Sequence, residues 1–138
     1  MRNNLRVVLD TNVLVSAALF PSSLPGHVLD HVINHGCLLI SANTASELRA
    51  VLFRPRLGRY LQAEEATEFL ASVLRYAEPV EITDSIAVCR DPNDDKFLEL
   101  ALSGQASHIV SGDQDMLELQ PFRGVLVLSP RAFLETLT

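Results

Sequence analysis

The chain has 138 residues, a formal net charge of −6 and 48% hydrophobic residues, enough apolar content for one domain that buries about two-thirds of its unfolded surface. Global disorder is excluded on that composition, and the longest apolar runs fall far short of the roughly 18 residues of a membrane span; Met1 to Arg6 is polar, without a leader pattern, so the reading is a soluble, cytoplasmic protein with no membrane partner. The acidic balance argues against a general nucleic-acid coat binder but not against a nuclease whose acids carry metal ions, because a bound cation reverses the local sign.

No repeat, low-complexity segment or Gly/Ser linker divides the sequence, and residues 1–138 read as a single domain. Arg6 to Leu9 reads as a buried strand and Val13 to Leu19 as a short apolar helix or turn. Phe20 to Gly26 has the Pro and Gly punctuation of a loop. His27 to His35 is helical, with Val28, Leu29, Val32 and Ile33 on one face and Gly36 ending it. Cys37 to Ile40 is a second strand. Ser41, Asn43 and Thr44 offer N-caps for a helix to about Phe53, striped by Ala45, Leu48, Val51 and Leu52 and stopped by Pro55.

Glu64 to Ala77 predicts a further helix that turns Phe69, Leu70, Val73, Leu74 and Ala77 inward, and Val80 to Ile82 a strand. Asp95 to Ser103 is helical, with Gly104 as its C-cap. His108 to Val110 and Val125 to Leu128 read as two more buried strands, separated by a short helix from Met116 to Leu119; Pro130 opens a last helix ending near Leu137. Strands alternating with helices imply a mostly parallel central sheet covered on both sides, a three-layer α/β/α fold.

The chemistry lies where strands end. Asp10, with Thr11 and Asn12, follows Val7-Val8-Leu9, and Ser111-Gly112-Asp113-Gln114-Asp115 follows Ile109-Val110. In parallel α/β sheets the carboxyl ends of the strands line the ligand crevice, so these acids converge. Each is also a good helix N-cap, which is its plain structural reading; the coincidence of two such turns in one small domain favours a site. Glu47 stands at the border of a buried helical stripe, where a solvated surface role competes with a lean toward the sheet edge. Asp94 and Asp95 open a helix, a position whose dipole favours acids in any case; both precede an apolar residue by three, so face arguments do not separate them.

Acids on four separate elements repel one another unless a hard cation such as Mg²⁺ or Mn²⁺ is held between them. They match two-metal phosphodiester hydrolysis, in which metals activate a water and stabilise the attacking and leaving oxygens with no His or Lys base. Ser111, Thr11 and Asn12 are placed to position a phosphate or a water by hydrogen bonds.

At these residues the sequence resembles the PIN domain family, and within it the VapC-like toxin ribonucleases of toxin–antitoxin modules. The resemblance rests on residues 7–17 (VVLDTNVLVSA), 41–48 (SANTASEL), 90–102 (RDPNDDKFLELAL), 109–117 (IVSGDQDML) and 128–134 (LSPRAFL). It implies a metal-dependent endoribonuclease that leaves a 5′-phosphate and a 3′-hydroxyl. Carried over by position, Asp10, Glu47, Asp95 and Asp113 form the acidic quartet, with Asp115 as an auxiliary ligand and Asn12 and Ser111 as polar helpers. Asp95 is the assignment that Asp94 contests. The resemblance further implies a homodimer silenced by a small antitoxin protein. A housekeeping RNA-processing nuclease would carry the same acids. A non-catalytic scaffold that binds RNA or protein is a third reading, against which stands the complete set of carboxylates.

The remaining features read more plainly. His27, His31 and His35 recur every four residues, opposite the apolar stripe, and read as the solvent face of their helix, with weak transition-metal binding as the other reading. Arg49, Arg54, Arg56 and Arg59 form the densest basic cluster; Arg54 and Arg56 are candidates to grip RNA or an acidic partner segment, against a solvated basic turn. Cys37 and Cys89 have no metal-type spacing and read as reduced thiols. An aspartyl-phosphate hydrolase would need a second Asp where Asn12 stands, and the sole lysine, Lys96, is not an evident catalytic one.

Overall fold

A computed structural model describes residues 5–137. Five strands form one parallel sheet in the order β3-β2-β1-β4-β5: β1 (Arg6–Leu9), β2 (Cys37–Ile40), β3 (Glu78–Pro79), β4 (His108–Val110) and β5 (Leu126–Leu128). The helices among the described residues are α1 (Thr11–Leu19), α2 (Leu24–His35), α3 (Ala42–Leu52), α4 (Ala63–Tyr76), α5 (Asp95–Ser103), α6 (Gln114–Leu117) and α7 (Pro130–Glu135), with single 3-10 turns at Pro55–Arg59 and Pro92–Asp94.

The strands are short and apolar because both faces are covered. Along β1, Val7 and Leu9 pack with α1, α2, α3 and α7 residues such as Val13, Val28, Leu48 and Phe133, while Val8 packs on the other side with Leu98, Ala101 and Met116 of α5 and α6. The same alternation sends Leu38 and Ile40 of β2 to the first layer and Leu39 to the second. This is the period-2 geometry of a strand with helices on both faces. Central β1 pairs with β2 through Val7 and Leu38 and with β4 through Val8 and Ile109. The three-layer α/β/α expectation is met.

Where the elements differ from the sequence reading, a local interaction decides. α2 starts at Leu24, inside the expected loop, because Ser23 caps it by accepting from the Gly26 amide and Pro25 fits its first turn. A Cβ on Gly26 would stand 2.1 Å from the Pro21 carbonyl oxygen, so only glycine lets the loop fold back on the helix. β3 lies at Glu78–Pro79 rather than Val80 to Ile82: the Arg6 guanidinium holds Glu78 through two bonds (3.2 and 2.7 Å) and bonds the Gly104 carbonyl, and pairing ends where the Val80 amide donates to Ile40.

α6 begins at Gln114, capped by Asp113, and ends at Leu117. Val125 bridges to Phe122 in a turn ahead of β5, and α7 stops at Glu135. Leu74, expected inside, is 49% exposed, and Ala66 is buried instead. The histidine stripe is not all solvent face: His31 is half-buried with its ring 6.4 Å from Phe133, and His35 stacks on it at 4.8 Å.

Phe133 is fully buried, and His108 meets its ring edge-on at 5.3 Å, so α7 is pinned to the sheet by one aromatic. Phe133→Ala is expected to lower stability by roughly 3–5 kcal/mol, read as a lower urea midpoint with an unchanged denaturant slope; a midpoint within error of the parent would show that α7 does not depend on this contact.

Candidate functional site

Asp10 ends the central strand. Its amide donates to the Val110 carbonyl at 3.1 Å, which continues the β1–β4 ladder by one residue, and its Oδ1 accepts from the Val13 amide at 2.9 Å as the N-cap of α1. Its Oδ2 accepts from the Ser111 hydroxyl. Ser111 is fully buried one residue beyond β4, and its Oγ in turn accepts from the Asp113 amide at 3.0 Å. One hydroxyl therefore ties the Asp10 carboxylate to the turn that presents Asp113. Asp10 is 7% exposed; burial pushes its carboxyl above the usual range, the bonds from Ser111 and Val13 oppose that, and the charge of Asp113 adds to it.

Glu47 projects from α3 toward the same place. Thr11, buried at the start of α1, donates from Oγ1 to Glu47 Oε1, while Asn93 Nδ2 and Lys96 Nζ each donate to Oε2 at 3.0 Å. Partial burial disfavours the charge, and the three donors together outweigh it, so the carboxyl lies below its usual range. The sole lysine is thus a partner of a site acid, and Asn93 accepts from it at 2.9 Å.

The adjacent pair Asp94 and Asp95 part company. Asp95 is buried and faces away from the other acids: its Oδ1 accepts from the Val88 and Cys89 amides at 3.2 and 2.8 Å. The Cys89 amide foremost, with Val88, holds it below the usual carboxylate range against burial, and its charge adds to burial in pushing the Cys89 thiol up to about 12. Asp94 takes the other direction. It lines a cleft together with Asp10, Thr11, Asn12, Glu47, Val51, Arg54, Asp91, Phe97, Gly112 and Asp113. Burial and then the charges of Asp91, Asp113, Glu47 and Asp10 push Asp94 up to about 6.

The structure therefore gathers Asp10, Glu47 and Asp113 as the sequence implies, and Asp94 in the position expected for Asp95. The reason is the 3-10 turn at Pro92–Asp94: it ends the loop tightly, so the last residue of the turn faces the cleft and the first of α5 faces the loop behind it. Asn12 and Thr11 line the cleft. Asp115 does not; its amide donates to Asp113 Oδ1 at 3.2 Å and its carboxylate stands 3.6 Å from Arg90. Arg54 lines the cleft, and Arg56 lies outside it, exposed on the 3-10 turn at Pro55–Arg59. The Lys96–Asn93 clamp and the cleft position of Asp91 were not read from the sequence; the nearest signal was a lone lysine directly after Asp94-Asp95.

The donors are all carboxylate and neighbouring polar oxygens, the chemistry a hard divalent cation takes. As the side chains stand, no group of three His, Cys, Asp or Glu among the described residues is close enough to hold an ion, and Lys96 supplies the positive charge that Glu47 pairs with. The like charges that add to burial in lifting Asp94 are what a cation would relieve, so the residues fit such an ion in kind and in charge. Among the described residues no helix is long and apolar enough to cross a membrane.

The chain is 30% identical over 120 residues to an uncharacterized protein of Methanocaldococcus jannaschii, covering 84% of this chain and 76% of that one. Its fold is similar to that of PAE2754 from Pyrobaculum aerophilum (TM-score 0.62, 22% identity, 97% of this chain and 90% of that one). It is also similar to VapBC2 from Rickettsia felis, solved bound to a DNA fragment from its promoter (TM-score 0.60, 15% identity, 89% and 97%), and to FitAcB from Neisseria gonorrhoeae (TM-score 0.51, 18% identity, 91% and 98%). Residues 6–115 match the PIN domain, and the chain belongs to that family.

Proposed function

We propose that the protein is a divalent-metal-dependent endoribonuclease, the toxin component of a toxin–antitoxin pair. The observation that carries the reading is the cleft itself, which Asp10, Glu47, Asp94 and Asp113 line from four separate elements, and where burial first and then the charges of the neighbouring acids lift Asp94 to about 6. These carboxylates hold Mg²⁺ or Mn²⁺. When bound, such ions supply an activated water and charge stabilisation for the attacking and leaving oxygens of an in-line displacement.

The chain's own residues do the rest. Ser111 fixes the Asp10 carboxylate and the Asp113 turn in one register, and Thr11 fixes the rotamer of Glu47. Asn12, exposed on the cleft wall, orients the scissile phosphate, and Arg54 holds a neighbouring phosphate. Lys96 keeps Glu47 ionised and neutralised until a cation takes over that charge. Asp95 serves the site at one remove, by bracing the loop at Val88 and Cys89 behind the cleft; Asp115 joins through Asp113 and Arg90. The fold shared with VapBC2 and FitAcB supports an antitoxin partner, and the resemblance to VapC-like toxins supports a homodimer acting in the cytoplasm.

The reading is tested by cleavage of a mixed, end-labelled RNA pool. Mn²⁺-dependent cutting should vanish in EDTA and in Asp10→Asn, whose side-chain oxygen still caps α1 and whose fold is as stable as the parent or more so. An Asp10→Asn protein that cuts at the parent rate would remove the site. Binding of Mn²⁺ without cleavage of any RNA would leave a non-catalytic member of the family.

Asp94 and Asp95 are separated by stability. The raised pKa of Asp94 means that the fold holds its proton more tightly than the unfolded chain does, so ionising it destabilises the fold. That penalty is absent below the ordinary value of 3.8, grows as pH rises and is complete above about 6. Asp94→Asn should therefore raise the metal-free Tm at pH 7.5, leave it unchanged near pH 3.5, and abolish the stabilisation by Mn²⁺, which reaches about 2.7 kcal/mol at roughly 100 times Kd. Asp95→Ala leaves two loop amides without their acceptor and should cost roughly 1–3 kcal/mol while the Mn²⁺ response survives. The reverse pattern in thermal melts would return the ligand role to Asp95.

A further inference from the structure

The helix that supplies Glu47 continues past the cleft into the most basic stretch of the chain. Four of the 11 basic residues, Arg49, Arg54, Arg56 and Arg59, fall within residues 49–59 of a protein whose net charge is −6. All four are exposed, and among the described residues no ion pair joins any of them to a carboxylate. Two aromatic side chains stand among them, Phe53 at 43% and Tyr60 at 68% exposure. Phe53, with Ser46, Arg49 and Ala50, lines a shallow hollow on the face of α3 next to the one that faces the cleft. Glu47 and Val51 of α3, with Arg54 just beyond its end, line the acid cleft, and Ser46, Arg49 and Ala50 of α3 with its C-cap Phe53 form a surface beside it.

Unpaired arginines attract phosphates, and exposed aromatic rings amid them offer stacking platforms to bases; together they are the recurrent composition of single-stranded nucleic-acid grooves. In a duplex the base faces are already stacked on one another and closed to side chains. An acidic polypeptide would answer the arginines but gives no comparable use for two rings that remain in solvent. We infer that residues 46–60 form a track for single-stranded RNA that leads into the acid cleft at Arg54: Phe53 and Tyr60 stack on bases, and Arg49, Arg56 and Arg59 hold the phosphates between them. The inference rests on the nuclease reading above and gives its substrate a path across the surface to the acids.

The test is fluorescence anisotropy of the full chain with labelled oligouridylate of about 12 nucleotides in EDTA, where no cleavage occurs, against a duplex RNA of equal length. Tyr60→Leu and Phe53→Leu should each weaken binding of the single strand roughly 10-fold, and Tyr60→Phe, which keeps the ring, should restore it. Replacing Arg49, Arg56 and Arg59 by Gln should flatten the salt dependence by about 0.7 in log–log slope for each phosphate released. Should Phe53→Leu lower the Tm, the Tyr60 pair carries the result, since that side chain lies largely in solvent. Leucine variants that bind like the parent, or a parent that prefers the duplex, overturn the track. Cleavage with Mn²⁺ run in parallel separates the two readings: a parent that cuts RNA while the variants bind normally loses the track and keeps the nuclease, whereas a parent that neither binds nor cuts loses both.

Discussion

The cleft depends on one buried carboxylate kept in place at the end of the central strand. Pairing of β1 with β2 ends at Val7, while pairing with β4 runs on through Leu9 to the amide of Asp10, so the backbone position of Asp10 is fixed by β4. Its side chain is fixed by Val13 and Ser111. A carboxylate this buried is costly to ionise, and the structure answers with donors taken from the two strand ends that the ligand cleft joins. Because the Ser111 hydroxyl is also the acceptor for the Asp113 amide, the distance between two site acids is set by a side chain that never reaches solvent. Changing Ser111 would move the site without touching anything a substrate could contact.

The other acids are balanced against each other in a different way. Glu47 is offset by Lys96 and Asn93, Asp94 by nothing comparable, and the consequence is a carboxyl lowered in one case and lifted to about 6 in the other. Neighbouring residues of the same chemical type thus end with opposite electrostatics, and the same holds across the Asp94–Asp95 peptide: one carboxylate is filled by two amides, the other is aimed at like charge. Filled lone pairs make a brace, and unfilled ones beside other acids suit the cation of the proposed mechanism. This division separates two aspartates that no pattern of spacing distinguishes.

That contrast also marks how far the sequence carried. The sheet was legible because β1, β2 and β4 are runs of Val, Leu and Ile buried on both faces, a signal that needs no tertiary context. Of the five cleft acids, Asp10, Glu47 and Asp113 followed from strand-end and helix-border positions. Asp94 did not, since its direction is set by a 3-10 turn whose residues, Pro92-Asn93-Asp94, read equally well as the first turn of a longer helix. β3 was displaced by two residues because its register is held by the Arg6 guanidinium from another strand, a contact 72 residues away in sequence. Leu74 misled as an apolar residue on an apolar stripe; α4 packs on the rest of the protein through Ala66 and Val73, at the narrow centre of that stripe. Local pattern fixed element type, and long-range polar contacts fixed where side chains point.

The faces of α3 reconcile an acidic protein with the anionic substrate proposed for it. A helix turns 100° per residue, so its successive faces can be given different chemistry. Leu48 and Leu52 enter the core, Glu47 and Val51 line the acid cleft, and Ser46, Arg49 and Ala50 form the adjoining surface, which the C-cap Phe53 extends; Arg54, beyond the helix, turns back to the cleft. Positive charge is concentrated along this adjoining surface and the 3-10 turn after it, and the acids are confined to a recess where a cation would invert their field. Net charge is then a poor guide to what the surface attracts. On the proposed track, a phosphate chain that approaches along the arginines reaches the carboxylates at the recess, where a bound cation would leave the ion, rather than the substrate, as their partner.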